Sequence, residues 1–306
     1  MNQMSVKESG KRLTALLVMR IVMCKKVYPN AKGKVMKKLE KLNFPKDFID
    51  KFICGNAVDI MKKIPDGAVD LVVTSPPYNL KNSTGNGMKD GRGGKWSNAA
   101  LIDGYSHYDD NMPHEKYVEW QRECLSEMLR IIPDNGAIFY NHKWRVQAGL
   151  LQDRQDIITG FPVRQIIIWK RKGGINFNPG YFLPTYEVIY LIAKLKFRLS
   201  DKANAHGDVW EFSQENNNKH PAPFPEILIE RIISSTNANI ILDPFMGSGT
   251  TAVVAKKLDR KFIGIDISPE YCKMAEKRLI NPSSIAKKNN KTQAKQQSLF
   301  DVEESQ

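Results

Sequence analysis

Short apolar runs that end at a polar residue, a glycine or a proline recur along the chain and predict buried β-strands. These runs cover residues 52–56, 69–74, 136–141, 163–169, 185–193, 240–243 and 261–266. Other segments have apolar residues at helical spacing and predict helices over residues 57–64, 114–132, 144–158, 252–258 and 271–279. This alternation is typical of an α/β domain in which a mostly parallel sheet is covered by helices on both faces.

Both ends of the chain depart from this alternation. Residues 1–45 are basic and contain an apolar stretch, residues 13–19, that is too short to cross a bilayer. We expect a basic helical N-terminal arm here. Residues 282–306 are mainly Lys, Asn, Gln and Ser, a composition typical of a disordered tail.

The α/β domain predicted between these ends, residues 46–281, contains two long polar regions. Residues 79–113 are rich in Gly, Asn, Ser and Lys, which is typical of a functional lid or of disorder. Residues 170–218 are polar on either side of one predicted strand. We interpret them as containing an inserted target recognition region that contacts phosphates and base edges, with a pair of plain loops as the alternative.

Charge narrows the class of partner. The 306 residues include 46 Lys and Arg against 33 Asp and Glu, a net charge of +13 at pH 7, which favours a polyanionic partner over a neutral metabolite. Charge alone does not separate DNA from RNA or from an acidic membrane surface. The four cysteines have no Cys-x-x-Cys spacing, so they suggest neither a zinc ribbon nor a disulfide framework. Free thiols in the reducing cytoplasm are the simplest expectation.

Residues 70–79, with the sequence DLVVTSPPYN, combine a buried strand with a rigid loop. Because proline cannot continue a sheet ladder, the strand ends here, and the loop lies where open α/β sheets bind ligands. The Ser75 hydroxyl, the Pro76 carbonyl and the Tyr78 ring are suited to grip a flat ring that carries an amino group. A base turned out of a nucleic-acid duplex is such a ring. Taken alone, the tetrapeptide fits an ordinary strand-to-turn junction equally well.

A second site is predicted where the apolar strand at residues 240–243 leads into Gly247, Gly249 and a helix. Glycines let the backbone approach a ligand and turn N–H groups toward it. The segment has neither the Gly-Lys-Ser/Thr of a P-loop nor the third glycine of the dinucleotide fingerprint. Asp266 ends the next strand, where a Rossmann-like sheet has its ribose-binding acid. The combination favours a nucleoside ligand without a pyrophosphate over NAD.

Three segments resemble, in this order, the exocyclic-amino DNA methyltransferases of the β arrangement, whose catalytic half precedes the cofactor-binding half. They are residues 74–78 (TSPPY), 219–226 (KHPAPFPE) and 243–250 (DPFMGSGT), within a similarity that spans about residues 50–280. The resemblance implies a Rossmann-like, S-adenosylmethionine-dependent methyltransferase sheet with circularly permuted motifs. It implies an amino group of cytosine or adenine in double-stranded DNA as the methyl acceptor, and no membrane partner. A homodimer and a cognate restriction endonuclease are further partners that it suggests.

The resemblance also assigns roles to individual residues. The catalytic residues would be Ser75, Pro76, Pro77 and Tyr78. The cofactor-binding residues would be Asn56, His220, Pro221, Asp243, Phe245, Gly247, Ser248, Gly249, Thr250 and Asp266, and no metal ligand is expected. Ser75 Oγ and the Pro76 carbonyl would accept hydrogen bonds from the target amine and localise its lone pair toward the methyl group. Because a serine does not hold a proton as an aspartate does, Ser75 is expected to accept and orient rather than act as a strong base.

Two features of the sequence bear on the identity of the methylated base. Serine at the first position of the tetrapeptide and the segment HPAPFP resemble the N4-cytosine enzymes more than the N6-adenine enzymes, which stay the alternative. No cysteine follows a proline, as in enzymes that attack the cytosine ring, which argues against C5 methylation. An RNA or protein methyltransferase and a DNA-binding protein without activity are rivals from other classes. The latter would not need both the glycine loop and the Pro-Pro loop.

Overall fold

The computed structural model describes residues 42–79, 112–147, 150–171, 179–213 and 224–280. The chain divides into two units, Met1–Asn43 and Phe44–Gln306, and the second contains nearly all of the described residues. Four regions singled out in the sequence lie wholly or largely outside the described ranges. They are the N-terminal arm, the polar region at 79–113, the segment with His220 and Pro221, and the C-terminal tail.

Strands and helices alternate along the described residues. The strands are β1 (Lys51–Cys54), β2 (Leu71–Thr74), β3 (Ala137–His142), β4 (Arg145–Gln147), β5 (Leu150–Gln152), β6 (Val163–Lys170), β7 (Tyr186–Ala193), β8 (Val209–Glu211), β9 (Ile240–Asp243) and β10 (Lys261–Asp266). The helices are α1 (Ala57–Met61), α2 (His114–Ile131), α3 (Gln155–Ile158), α4 (Glu226–Ser234), α5 (Thr250–Lys257) and α6 (Pro269–Ile280), with a 3-10 turn at Ala203–Ala205.

The central sheet, as far as the described residues show it, has the strand order β1-β10-β9-β2-β3-β7-β6-β8. The strands from β1 to β3 in this order are parallel, β7 runs antiparallel to both of its neighbours, and β8 is parallel to β6. The prediction of a mostly parallel sheet is therefore confirmed, with β7 as the reversed strand. Leu71 of β2 pairs with Ile241 of β9, so the loops that follow these two strands lie side by side.

The core forms because the middle strands are apolar on both faces. Every residue of β2 is buried, as is every residue of β3. Helices α1, α2 and α3 contact one another in sequence, and α4, α5 and α6 do the same, so two groups of helices pack on the sheet. Among the described residues, no helix is both long enough and apolar enough to span a membrane.

The prediction of one helix over residues 144–158 is wrong. The chain forms an antiparallel pair of strands, β4 and β5, and only Gln155–Ile158 is helical. Leu150 and Leu151 are exposed, so they do not form the buried face that their helical spacing suggested. Arg154 separates the strands from α3, with its backbone in the left-handed region at φ 76°. Its buried guanidinium carbon lies 5.9 Å from the Tyr117 ring centroid, a tertiary contact that a local pattern does not reveal.

Part of the polar region at 170–218 belongs to the central sheet. β8 is an edge strand paired with β6, with Trp210 opposite Trp169. Trp210 is buried while Val209 and Glu211 are exposed, so one aromatic side chain joins this strand to the core. Residues 172–178 and 214–218 of the predicted recognition region lie outside the described residues.

Candidate active site

A buried carboxylate links the two predicted site loops. Thr74 at the end of β2 donates from Oγ1 to Asp243 Oδ1 over 2.9 Å, and Thr251 of α5 donates to Oδ2 over 2.7 Å. The backbone N–H of Phe245 donates to Oδ1 over 3.1 Å. Burial raises the pKa of Asp243 to about 6, even though these hydrogen bonds act in the opposite direction. Asp243, predicted to bind the cofactor, therefore uses its carboxylate to hold the two loops together.

The glycine loop, residues 244–249 between β9 and α5, is shaped by close packing against α6. Gly249 precedes α5 with φ 79°, and a Cβ atom on it would lie 2.7 Å from Ala275 Cβ. Gly247 also has a positive φ, 50°, and its N–H donates to Asp266 Oδ2 over 2.9 Å. The other carboxylate oxygen of Asp266 accepts from the N–H of Ser268 over 2.8 Å. Only glycine fits this turn without strain, which brings the loop backbone up to the end of β10.

Asp266 is a half-buried acid at the carboxyl end of β10. Burial raises its pKa to about 6, against the two backbone hydrogen bonds. Gly55 N–H donates to the Asp266 carbonyl over 2.9 Å, so the turn after β1 lies beside it. The structure thus brings together the glycine loop, the predicted ribose-binding acid and the turn that carries Asn56.

Asn56 follows Gly55 in the turn after β1, and Phe245 lies between Asp243 and Gly247. Asn56 caps α1, because its Oδ1 accepts from the N–H groups of Val58 and Asp59 over 3.0 and 3.2 Å. Phe245 is half-buried, and its ring centroid lies 5.7 Å from that of Trp120 in an edge-on contact. Trp120 of α2 is also half-buried, so this contact joins α2 to the glycine loop.

The hydroxyls of Ser248 and Thr250 face the interior. Both accept hydrogen bonds from the buried Arg278 of α6, over 3.1 and 2.7 Å. The same guanidinium donates to Glu226 Oε1 over 2.9 Å, and Glu226 also pairs with Lys257. These hydroxyls, predicted to bind the cofactor, therefore anchor the glycine loop to α6. Arg278 had no signal in the sequence beyond being a cation in an otherwise amphipathic helix.

The predicted catalytic loop, residues 75–78 after β2, is anchored by a polar cluster and is called the catalytic loop below. Ser75 Oγ and Tyr78 OH are hydrogen-bonded to each other. Tyr78 OH donates to Glu187 Oε2 of β7 over 3.3 Å. Asn141 of β3 donates from Nδ2 to Tyr78 OH over 2.9 Å and to the same glutamate oxygen over 2.7 Å. Ser75 is half-buried and the other three residues are buried, so the serine lies at the outer end of the cluster.

The two prolines present their carbonyls differently. The Pro77 carbonyl accepts from Tyr117 OH over 2.9 Å and from Gln121 Nε2 over 3.3 Å, which ties the loop to α2. The Pro76 carbonyl has no hydrogen-bond donor among the described residues. This difference leaves the Pro76 oxygen, together with Ser75 Oγ, as the acceptors of the loop that a ligand could use.

Tyr78 is buried, and its ring centroid lies 4.9 Å from that of His142 at an interplanar angle of 36°. His142 Nε2 in turn hydrogen-bonds Tyr117 OH over 2.7 Å. Asn79, the next residue, pairs through its amide with both backbone groups of Met112, over 2.7 and 2.8 Å. Met112, directly before α2, therefore lies beside Asn79 at the end of the catalytic loop. Stacking of Tyr78 on a target base stays a prediction.

Sequence reasoning missed Asn141 and Glu187, which contact the catalytic loop. Ligands bind at the carboxyl ends of strands in such sheets, which is how Ser75 was located. Asn141 and His142 also end a buried strand, so the same reasoning applies to them. Glu187 is a lone carboxylate in an apolar strand, and a buried charge of that kind requires partners. The antiparallel pairing sets Asn141 opposite Ile189, which places Glu187 two residues away on the same face.

A ligand held at the glycine loop would lie next to a ligand held at the catalytic loop, because β2 and β9 are adjacent. The sequence predicts a nucleoside at one loop and a planar amine at the other, and two adjacent sites of this kind suit a group-transfer reaction. The comparisons with known proteins identify the class more narrowly.

Residues 69–277 match the N6/N4 methyltransferase family, described as DNA methylase. The type II methyltransferase M.BglII of Bacillus subtilis is 32% identical over an alignment of 278 residues that covers 76% of this chain and 69% of that protein. The type II methyltransferase M.HpaI of Haemophilus parainfluenzae is 33% identical over 255 residues, with coverages of 75% and 74%. The chain belongs to this family and is a DNA methyltransferase that acts on an exocyclic amino group, cytosine N4 or adenine N6.

Two solved structures share the fold. A candidate DNA modification methylase from Thermus thermophilus, complexed with S-adenosyl-L-methionine, has a TM-score of 0.55 at 22% identity and covers 76% of this chain and 93% of its own. The PvuII DNA methyltransferase, specific for cytosine N4, has a TM-score of 0.57 at 19% identity, with coverages of 74% and 85%. The prediction of a Rossmann-like methyltransferase sheet is thereby confirmed.

Proposed function

We propose that this enzyme methylates N4 of cytosine in double-stranded DNA, with the target base turned out of the duplex and held beside Ser75. The observation that carries the proposal is the serine at the first position of the catalytic loop. Its hydroxyl lies at the end of β2, and the adjacent Thr74 is hydrogen-bonded to the start of the glycine loop. The segment HPAPFP at residues 220–225 also favours cytosine. N6 of adenine is the second candidate, because SPPY also occurs with adenine specificity.

We infer that S-adenosylmethionine is the methyl donor and binds at the glycine loop. When bound, it supplies a methyl group on a sulfonium, which is already activated for transfer. The residues suit this group, because the packed turn at Gly247 and Gly249 lets the backbone approach a nucleoside, and Asp266 beside that turn would accept from ribose hydroxyls. Phe245 and Asn56 would complete the site.

The chain's own contribution to the reaction is to orient the amine. Its lone pair is conjugated with the ring, so the free amine is a poor nucleophile. Ser75 Oγ and the Pro76 carbonyl would accept its two N–H hydrogens and direct the lone pair toward the methyl group. The Pro77 carbonyl, held by Tyr117 and Gln121, keeps the loop rigid while this happens.

The methylated base can be identified directly. We would incubate unmethylated duplex DNA with the enzyme and S-adenosylmethionine, digest it to nucleosides and separate the products by mass spectrometry. N4-methylcytidine in its deoxy form is the expected product. N6-methyladenine as the sole product would refute the cytosine assignment, and sequencing of the modified sites would then give the recognised sequence in either case.

Cofactor affinity should fall below a pH of about 6. The ribose hydroxyls are expected to bind the carboxylate form of Asp266, whose pKa is raised to about 6, so protonation removes the negative charge and one acceptor position as the pH falls through that value. Titration calorimetry should show the dissociation constant rising up to about tenfold per pH unit below the pKa. Asp266→Asn should bind more weakly and lose this dependence. A variant that keeps the same pH profile would assign the titration to Asp243 instead.

We further infer that the protein works in a restriction-modification system, since the relatives named above are type II methyltransferases. A cognate restriction endonuclease and a homodimer are the partners that this inference includes. Sedimentation of the enzyme with and without duplex DNA would test the dimer.

A further inference from the structure

Glu187 is a charged residue beside the catalytic loop, and orientation of the target amine by Ser75 and Pro76 does not involve it directly. It is buried in β7, and its carboxylate lies within hydrogen-bond distance of Asn141 and Tyr78. Arg171 pairs with its other oxygen over 3.4 Å, which compensates the buried charge.

A carboxylate only accepts hydrogen bonds, and this property sets the orientation of its neighbours. The Asn141 amide must turn Nδ2, not Oδ1, toward Glu187 Oε2, at 2.7 Å. The same Nδ2 then donates to Tyr78 OH over 2.9 Å and faces Ser75 Oγ over 3.4 Å. The Asn141 amide nitrogen therefore serves only as a hydrogen-bond donor in this cluster.

Tyr78 has a single hydroxyl hydrogen, and two oxygens compete for it. Glu187 is charged and Ser75 is neutral, so the hydrogen goes to Glu187, because charge-assisted hydrogen bonds are about twice as strong as neutral ones. Tyr78 can then only accept from Ser75, and the Ser75 hydrogen points into the cluster. The remaining lone pair of Ser75 Oγ faces outward as an acceptor.

We propose that Glu187 is a positioning residue that sets the direction of this hydrogen-bond chain and so presents Ser75 to the target amine as an acceptor. With the opposite polarity, Ser75 would point a hydrogen at the N–H groups of the amine and repel them. The proposal rests on the proposed role of Ser75 as acceptor of the target amine. It holds for cytosine and for adenine, since both carry an exocyclic amino group.

The test measures single-turnover methyl transfer from S-adenosylmethionine with a labelled methyl group to unmethylated duplex DNA, counting label on either base. Glu187→Gln keeps the shape but removes the charge that holds the Tyr78 hydrogen. We expect a rate about 10- to 100-fold lower, as for loss of one charge-assisted hydrogen bond, with dissociation constants for cofactor and DNA changed less than about twofold. Asp134→Asn, which breaks an exposed pair with Lys196, is the matched control and should leave the rate unchanged.

A double-mutant cycle separates this role from general support of the fold. If Glu187 acts through Ser75, Glu187→Gln should slow the Ser75→Ala enzyme no further, because the two changes interrupt one chain. Tyr78→Phe removes the linking hydroxyl while keeping the ring, and should lower the rate as much as Glu187→Gln. This second variant keeps the proposal testable should Glu187→Gln fail to fold.

Two results would overturn the proposal. One is a Tyr78→Phe enzyme as fast as the wild type; the other is a Glu187→Gln effect of equal size with and without Ser75. Failure of the proposed base assignment would be seen separately, as label on adenine with the cycle intact.

Discussion

Ser75→Ala is expected to lower the rate of methyl transfer by about 100-fold or more while cofactor affinity stays within about twofold. The substitution removes one of two preorganised acceptors for an amine that becomes more positive as the methyl group arrives, and groups of this kind contribute roughly 10²- to 10³-fold in rate. Among the described residues, the Ser75 hydroxyl hydrogen-bonds Tyr78 and Asn141 and no residue of the glycine loop. Single-turnover kinetics with labelled S-adenosylmethionine, together with calorimetry, measure the two quantities separately.

The substitution should leave the fold intact. Tyr78 OH keeps Asn141 and Glu187 as partners when the serine hydroxyl is removed, so no buried polar group is orphaned. Ser126→Ala is the matched control: that hydroxyl is on the exposed side of α2 and bonds only the carbonyl of Arg122, over 2.8 Å. A fall in cofactor affinity with an unchanged transfer rate for Ser75→Ala would mean that the two halves of the site are misassigned.

Gly249→Val is expected to abolish measurable cofactor binding. Its Cβ would lie 2.7 Å from Ala275 Cβ and 3.2 Å from Ala275 Cα, and its φ of 79° is unfavourable for a β-branched residue. The loop would have to move away from α6, and this movement would displace the Gly247 N–H from Asp266. We expect the dissociation constant for S-adenosylmethionine to rise beyond the measurable range, and the free energy of unfolding to fall by about 2–5 kcal/mol.

Gly207→Val provides the same change of side chain in open space. Apart from its chain neighbours, no heavy atom of the described residues lies within 4 Å of a Cβ built on Gly207, and its φ is not in the left-handed region. Calorimetry and urea unfolding should therefore show both cofactor affinity and stability close to those of the wild type. Equal losses in the two variants would indicate a general intolerance of valine rather than the geometry of the glycine loop.

Local signals accounted for the parts of the site that each strand carries by itself. The run before Thr74 and the run before Asp243 are apolar and end abruptly, so both strands and both loops could be located in advance. The helix over His114–Ile131 was predicted within one residue, because its buried face repeats at helical spacing. The same reasoning failed between residues 144 and 158, where a short apolar pattern fits a hairpin as well as a helix.

Contacts between distant strands could not be predicted in the same way. Asn141 and Glu187 meet because β7 runs antiparallel to β3, and nothing within β7 reveals the direction of its neighbour. Arg278 anchors the glycine loop from a helix that lies beyond the next strand of the chain. Such residues look like ordinary polar positions until the fold supplies their partners.

Neighbours along the chain were enough to predict a strand followed by SPPY, a second strand followed by the glycine loop, and an acid at the end of the strand after that loop. The tertiary structure alone decided that β2 and β9 are adjacent, that Asp243 joins their loops, and that Glu187 faces Tyr78. The physical reason is that strand order and direction follow from packing of the whole core, and hydrogen-bond partners across the sheet follow from that order.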